Sequence, residues 1–289
     1  MSRKATLIVN PAAACGQATE RIPIVRDTLV SLGWHVSVVS SRDGDDAEQI
    51  AANADPDVVL ASLSGDGNHA RVAAGAIRSG ALFAPLPGGR GNDFVRAVGQ
   101  DQDPATAAAR LAVAQERRID VGLVDGRVFL GVASVGYDSE ATTLANQATW
   151  LHSGLAYTYG GLRAVAANQP RTFRLTMDGV EHTMRARNLA IGLSGRYGGG
   201  LRGCPDALLD DGLLDLVLME DMPTRDFVAT LLRMLADGAH VGRPGVTSTK
   251  LRTLRVDCDQ PLSVVADGDV VGKLPVDFSI RTSALRLLA

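Results

Sequence analysis

Residues 62–77 read SLSGDGNHARVAAGAI and directly follow the apolar run DVVLA at 57–61. The apolar run is typical of a buried strand, and the stretch from His69 to Gly80 predicts a helix that the glycine ends. Between strand and helix, Asp66 is flanked by a glycine on each side. Three structures explain such a stretch: a hairpin turn, a sugar or metal site, or a loop that holds phosphate. The rest of the chain has to decide among them.

The first 120 residues alternate between short strand-like runs and helical stretches. The predicted strands are residues 5–10, 34–41, 56–63 and 81–87, and the predicted helices are residues 18–33, 45–54, 69–80 and 91–99. In the first helix, Ile24, Leu29 and Leu32 are spaced to form one apolar face, and Gly33 is the predicted stop. Strands that alternate with helices at this spacing predict a parallel sheet covered by helices.

After Arg118 the pattern changes to an alternation of apolar and polar residues, with hairpin-type turns at 124–127 and 177–180. Helical insertions are predicted near 139–168 and 223–240. The predicted fold is therefore an N-terminal α/β domain with a parallel sheet plus a mainly antiparallel β C-terminal domain. We predict a nucleotide-binding domain over 1–122 and a β-rich substrate and metal domain over 123–279. The chain end, 280–289, is free to return to the first domain.

Composition and charge exclude several classes of protein. The 289 residues carry 29 basic and 32 acidic side chains, a net charge of −3, which argues against a nucleic-acid partner. No window reaches the length of a membrane span, and no signal segment opens the chain. Three widely spaced cysteines indicate a reduced, cytoplasmic setting: Cys15, Cys204 and Cys258. Lysine occurs only at Lys4, Lys250 and Lys273, and none stands in a P-loop pattern.

Glycine and small residues follow three of the predicted strands. These loops are Asn10–Gly16, Ser64–Asn68 and Pro87–Asp93. Glycine lets backbone amides converge on an anion, and the helix that follows adds the positive end of its dipole. The acids Asp66 and Asp93 would repel phosphate, so they imply a cation or a proton transfer, and a magnesium bridge reconciles them with phosphate. For Asp93 a helix N-cap is an equal alternative.

The motifs taken together resemble the diacylglycerol kinase catalytic domain family, notably the soluble bacterial lipid kinases and their sphingosine kinase relatives. The matching stretches run in order from residue 10 to residue 269: NPAAACG (10–16), SGDGN (64–68), PGGRGNDFVR (87–96), RIDVG (118–122), VGYDSEA (135–141), GGGLRGCPDALLDDGLLDL (198–216) and DGD (267–269). The resemblance implies an ATP-dependent kinase that uses Mg²⁺ and phosphorylates a hydroxyl of diacylglycerol or a related amphiphilic lipid.

The resemblance also implies the residues of the site. The nucleotide would contact Asn10, Pro11, Ala12, Ala13, Ala14, Ser41, Ser64, Gly65, Asp66, Gly67, Asn68, His69, Arg71, Gly89, Arg90 and Asn92. Asp269 would accept the proton of the lipid hydroxyl, and Asp66, Asp93 and Asp120 would form an acidic network around magnesium. A second, structural magnesium would be held by the Asp211 side chain and the carbonyls of Leu208 and Leu213.

Several positions depart from the family pattern. Asn68 and Arg90 stand where the family has threonine, and Asp269 is one methylene shorter than the usual glutamate. Arg71 and Arg90 either compensate as phosphate ligands, or the substrate is unusual or the activity weak. His69 either touches phosphate or faces solvent in the first helical turn. For Asp267–Asp269 a plain hairpin turn is the alternative that the residues alone favour.

Two further functions remain open from the sequence. An NAD kinase-like enzyme shares the glycine-acid loop and a two-domain build. A nucleotide-binding regulator without strong catalysis would explain the departures. The expected partner is a lipid substrate at a membrane surface, reached by transient contact, and the resemblance allows a homodimer.

Overall fold

The structure is a computed structural model that describes residues 3–11, 17–148, 153–236 and 238–289. The chain divides into two units. The first comprises residues 1–121 and 282–289, and the second comprises residues 122–281. The boundaries predicted from the sequence lay at 122/123 and 279/280.

The elements alternate in the first part of the chain and are mostly strands in the second. The described strands are β1 (Lys4–Val9), β2 (His35–Ser40), β3 (Val59–Ser64), β4 (Leu82–Pro87), β5 (Glu116–Val124), β6 (Arg127–Phe129), β7 (Val132–Gly136), β8 (Arg171–Met177), β9 (Val180–Gly192), β10 (Leu214–Glu220), β11 (Val246–Leu251), β12 (Thr253–Cys258), β13 (Ser263–Ala266), β14 (Asp269–Lys273) and β15 (Val276–Leu288). The described helices are α1 (Gln17–Ser31), α2 (Gly44–Ala52), α3 (Asp66–Ser79), α4 (Asp93–Ala97), α5 (Pro104–Arg110), α6 (Tyr137–Gln147), α7 (Ser153–Ala167) and α8 (Thr224–Ala236).

The first unit is built on a parallel sheet in the order β4-β3-β1-β2. β3 is buried along its whole length, as expected for a central strand covered on both faces. The end of β15 pairs in parallel with β4 through Leu287 and Phe83, so the chain end belongs to this unit. The predicted α/β fold with a parallel sheet is confirmed.

The inner face of α1 differs from the predicted one. Leu29 is buried, but Ile24 and Leu32 are 52% and 42% exposed. Ala18 and Val25 pack with Leu29 in the core instead. With the partly buried Ile22, the inner positions 18, 22, 25 and 29 are spaced by four, three and four residues, whereas the prediction placed Ile24 and Leu32 on this face. Gly33 ends the helix in the left-handed region, at φ 81°, as predicted.

The second unit is mainly antiparallel, as predicted. Its strands pair in the order β14-β13-β7-β9-β8-β12-β15, and β10 joins β9 to β11. The predicted hairpin turns are present, because Asp125-Gly126 and Asp178-Gly179 take positive φ between paired strands. The helical insertions are α6, α7 and α8, whose inner residues share one apolar core that includes Tyr137, Ala164 and Phe227.

No helix among the described residues is both long enough and apolar enough to cross a membrane.

Candidate active site

The loops after β1, β3 and β4 leave the same edge of the first unit's sheet, because these strands are parallel neighbours. Ser64 at the end of β3 lies opposite Pro87 at the end of β4. At the end of β1, the buried Ser41 donates its backbone N–H (2.9 Å) and its hydroxyl (3.3 Å) to the carbonyl of Val9. Of the first predicted loop, Asn10 and Pro11 are described, whereas Ala12, Ala13 and Ala14 lie outside the described residues.

The two glycine loops touch each other through their backbones. The amide of Gly88 donates to the carbonyl of Ser64 at 3.0 Å. A Cβ at Gly88 would lie 2.4 Å from the Ser64 nitrogen, and a Cβ at Gly89 would lie 2.4 Å from the Cα of Gly65. No side chain fits in either place. Glycine is therefore required here by the close approach of two main chains, which a simple turn would not require.

Asn92 holds the second loop in shape. It takes the left-handed conformation at φ 52°, and its Oδ1 accepts the backbone N–H of Gly89 at 2.8 Å. Asn92 also occupies the N-cap position of α4. The alternative that Asp93 caps this helix is wrong, because Asp93 is the first helical residue and the cap lies one position earlier.

Asp66 and Asp93 come together at this edge. Asp66 is partly buried, and its Oδ1 accepts the backbone N–H of Phe94 at 2.9 Å, across from α3 to α4. Asp93 is 5% exposed, with Arg96 3.6 Å from its Oδ1. Burial and then the negative charge of Asp93 raise the pKa of Asp66 to about 6. A carboxylate whose pKa is raised by a neighbouring carboxylate marks a place where a divalent cation is favourable.

The start of α3 offers polar groups to a ligand. The helix is 14 residues long and opens at Gly65, which has no side chain to occupy its first amides. Within the described part of the chain, the buried amide of Asn68 has no hydrogen-bond partner at either its nitrogen or its oxygen. Leaving both atoms unsatisfied is costly unless a ligand or water supplies the partners. The site thus fits an anion on the helix dipole and a cation on the acid pair.

His69 is not where the sequence suggested. The expectation that it faces solvent is wrong, because the ring is fully buried and packs against Phe83, with ring centroids 6.2 Å apart. Its Nδ1 lies 2.9 Å from the hydroxyl of Ser62 and 3.2 Å from that of Ser64. Burial lowers the pKa of His69 to about 3, so the ring is neutral. The buried ring is not exposed for contact with phosphate. Its contacts with Ser62 and Ser64 instead join the end of β3 to α3.

The two arginines differ in their surroundings. The guanidinium of Arg71 pairs with Asp45 and lies 2.9 Å from Glu48, both on α2. Its charge is already balanced, so a phosphate would have to compete with two carboxylates for it. Arg90 is exposed at the tip of the second glycine loop. Of the two, Arg90 is better placed to reach an incoming nucleotide.

Asp120 lies on β5 and is 2% exposed. Its Oδ1 accepts the backbone N–H of Ser283 at 2.7 Å, so this carboxylate anchors the returning chain end. Its membership of the acidic network stays a prediction.

In the second unit, Asp267-Gly268 forms the turn of the β13–β14 hairpin, with φ values of 51° and 88°. The carboxylate of Asp267 accepts the amides of Leu130 at 2.9 Å and of Gly131 at 2.7 Å. Asp269 is exposed as the first residue of β14. The hairpin that the residues alone favoured is confirmed, and it presents the Asp269 side chain to solvent. The role of Asp269 as proton acceptor stays a prediction.

The turn expected to hold a structural magnesium is occupied by a lysine. Lys250 places its Nζ 2.6 Å from Asp211 Oδ2 and 3.3 Å from Asp215 Oδ2. The Leu213 amide donates to the other oxygen of Asp211 at 3.1 Å. Leu208 is 55% exposed. An ammonium this close to the Asp211 carboxylate stands where a bound cation would stand, and its positive charge disfavours a magnesium ion there.

Comparison with known proteins agrees with the motifs. The family described as the diacylglycerol kinase catalytic domain matches residues 4–124, and the YegS C-terminal NAD kinase beta sandwich-like domain matches residues 131–289. A diacylglycerol kinase of Mycobacterium tuberculosis is 32% identical over 298 residues, covering 99% of this chain and 94% of that protein. The chain belongs to this lipid-kinase family. It is accordingly a phosphotransferase.

Other members of the family extend the likeness over the whole chain. A Pseudomonas fluorescens protein named "Probable lipid kinase YegS-like" is 30% identical over 292 residues, covering 99% of this chain and 95% of that protein. The crystal structure of a diacylglycerol kinase from Bacillus anthracis has a TM-score of 0.79 at 19% identity, covering 99% of this chain and 96% of that one. That structural likeness shows that the two lipid-kinase family members share a fold.

Sequence reasoning missed two arrangements in this family member. The Ser62–Ser64–His69 cluster escaped because serines at strand positions give no periodic signal, although a histidine three residues after Asp66 was a hint. The contact of Lys250 with Asp211 escaped because the residues are 39 positions apart and meet only through strand pairing.

Proposed function

We propose that this enzyme transfers the γ-phosphoryl group of ATP to a hydroxyl of diacylglycerol or a related amphiphilic lipid, with Mg²⁺ as the accompanying ion. The observation that carries the proposal is the main-chain contact of Gly65 with Gly89 beside the open start of α3. It supports a cradle of backbone amides for phosphate that uses no lysine. The names of the family members support the lipid as acceptor.

The chain's own groups would divide the work as follows. Backbone amides of the two glycine loops and the free amide of Asn68 donate to the phosphates. Asp66 and Asp93 would hold Mg²⁺, which when bound neutralises charge on the phosphate oxygens. The family resemblance supports Asp120 as a further member of this acidic network.

Phosphoryl transfer needs positioning and charge balance more than covalent help. The lipid hydroxyl oxygen forms a bond to the γ-phosphorus as the bond from that phosphorus to the β–γ bridging oxygen breaks, and ADP leaves. The hydroxyl proton passes to the carboxylate of Asp269, whose exposure leaves it accessible to a substrate. A lipid acceptor also requires transient contact with a membrane surface, which we propose together with the acceptor.

Radiolabel transfer tests the proposal. The purified protein is incubated with γ-labelled ATP, Mg²⁺ and vesicles that contain diacylglycerol, and in parallel with a long-chain base or with NAD. We expect label in the lipid phase, reduced at least about 100-fold by Asp66→Asn, which removes a proposed magnesium ligand, and by Asp269→Asn, which removes the proposed proton acceptor. Asp57→Asn, an exposed acid of the same unit as Asp66, is the matched control and should keep full activity.

The other outcomes separate the alternatives. Label on NAD would support the NAD kinase-like reading, and ATP binding without transfer to any acceptor would support a nucleotide-binding regulator. Full transfer to lipid by both variants would refute the assigned roles of Asp66 and Asp269 while leaving the lipid-kinase activity standing.

A further inference from the structure

The Asp211 turn carries a positive charge supplied by the chain itself. The ammonium of Lys250 contacts three oxygens: Oδ2 of Asp211 at 2.6 Å, Oδ2 of Asp215 at 3.3 Å and the carbonyl of Asp206 at 3.3 Å. The ammonium donates hydrogen bonds to Asp211 and to the Asp206 carbonyl, and Asp215 lies at ion-pair distance. Lys250 is therefore coordinated by oxygen atoms as a bound cation would be.

Strand pairing puts the lysine there. Lys250 on β11 is the direct antiparallel partner of Asp215 on β10, and Leu251 is the partner of Leu214. Asp215 is 1% exposed, and β10 begins three residues after Asp211. The register of the sheet thus fixes the stem of Lys250 beside the Asp211 turn, and its side chain is 36% exposed.

The same contacts disfavour a magnesium ion on Asp211. Both carboxylate oxygens are engaged, one by Lys250 and the other by the amide of Leu213 at 3.1 Å. Mg²⁺ requires a near-octahedral shell of oxygen ligands, to which an ammonium contributes none. A divalent ion on the free side of this carboxylate would also be repelled by the adjacent ammonium.

We infer that Lys250 takes the place of the structural magnesium that the family resemblance implies for this turn, so that the second unit of this chain is stabilised at the Asp211 turn by its own ammonium group and without a metal. The inference is independent of which acceptor the enzyme phosphorylates. It concerns the folded chain in the absence of nucleotide.

Thermal unfolding of the full chain without nucleotide tests the inference. The midpoint of the wild type should be the same in EDTA as in millimolar MgCl₂. Lys250→Met removes the charge but keeps a stem of similar length, and should lower the midpoint in EDTA by about 4 °C or more, because two carboxylates lose their partner. Adding MgCl₂ should recover part of that loss, because the vacated oxygens become available to the ion.

Three further variants serve as controls for the thermal-unfolding experiment. Lys273→Met, an exposed lysine of the same unit, should leave the midpoint unchanged. Lys250→Arg keeps a cation and should stay close to the wild type, which covers the case in which Lys250→Met does not fold. Asp211→Asn reports whether any response to MgCl₂ arises at this turn rather than elsewhere.

A wild-type midpoint that rises with MgCl₂, and no longer rises in Asp211→Asn, would overturn the inference. An unchanged midpoint in Lys250→Met would overturn it as well.

Discussion

At the scale of single residues, Asp66 combines structural and chemical roles. Its carboxylate accepts the Phe94 amide and so joins the first turn of α4 to α3. It also lies close enough to Asp93 for the two negative charges to interact. Ionising a carboxylate held in this way is costly, and a bound cation would relieve that cost.

The pKa of Asp66 predicts a pH-dependent stability. In the folded state this pKa is raised to about 6 from 3.8, so the folded chain holds the proton more tightly than the unfolded chain does. The contribution of protonated Asp66 to the stability of the fold is therefore fully present below about pH 4, and it is lost as the pH rises through about 6. When the pH is raised from 4.5 to 7.5 without metal ions, the free energy of unfolding of the wild type should fall by about 2 kcal/mol more than that of Asp66→Asn.

Urea unfolding of both proteins at the two pH values measures this difference. Asp57→Asn controls for loss of an exposed acid and should track the wild type. An equal pH dependence in wild type and Asp66→Asn would mean that Asp66 titrates as an ordinary surface carboxylate.

At this scale the sequence predicted that Asp66 and Asp93 lie together, but it did not predict how the nearby side chain of His69 is buried. Asp66 and Asp93 were placed together because parallel strands end at one edge of a sheet. The burial of His69 was missed because one histidine in a first helical turn carries no information about which face it occupies. That face is set by Phe83 and Ser62 on neighbouring strands.

At the scale of elements, the site depends on two loops whose main chains touch. The amide of Gly88 and the close approach of Gly89 to Gly65 join the ends of β3 and β4. Such packing holds backbone amides in place before a ligand arrives, which preserves binding energy that loop ordering would otherwise consume.

A methyl group at Gly89 should disturb this contact. The added Cβ would lie 2.4 Å from the Cα of Gly65, so the loops must separate. Gly89→Ala should lower the free energy of unfolding by about 1–3 kcal/mol and weaken ATP binding. Urea unfolding and calorimetric titration with ATP measure the two effects.

Gly272→Ala is the matched control. Its Cβ would lie 3.9 Å from the Val276 side chain, an ordinary contact. If Gly89→Ala proved as stable as this control and bound ATP like the wild type, the contact between the glycine loops would have no part in nucleotide binding.

Most elements were predictable because their patterns are local. The start of α3 was not, since the helix begins at Asp66 and the predicted helix began at His69. Glycine and aspartate argue against helix in isolation, yet here they form its first turn, where helix-end amides favour them. α5, a seven-residue helix capped by Asp103, was not predicted at all.

At the scale of the whole molecule, the alternation of strands and helices predicted the fold class of the first unit. The alternation of apolar and polar residues predicted that of the second. Both patterns follow from which faces of each element are buried, so the fold class was within reach of the sequence. The contact of Lys250 with Asp211 was not, because it depends on the register between two strands. The family motif around Asp211 implied a metal at that turn. The pairing of β10 with β11 is what reveals that Lys250 lies there.

The central claim is that the phosphates of a nucleotide rest on the backbone amides of the two glycine loops beside Asp66 and Asp93. A crystal structure of the full chain with Mg²⁺ and a non-hydrolysable ATP analogue measures this directly. Our account predicts phosphate oxygens within hydrogen-bond distance of the amides around Gly65 and Gly89, with the ion next to the two carboxylates. Density for the phosphates at any other place, with both glycine loops unchanged and without ligand, would contradict it.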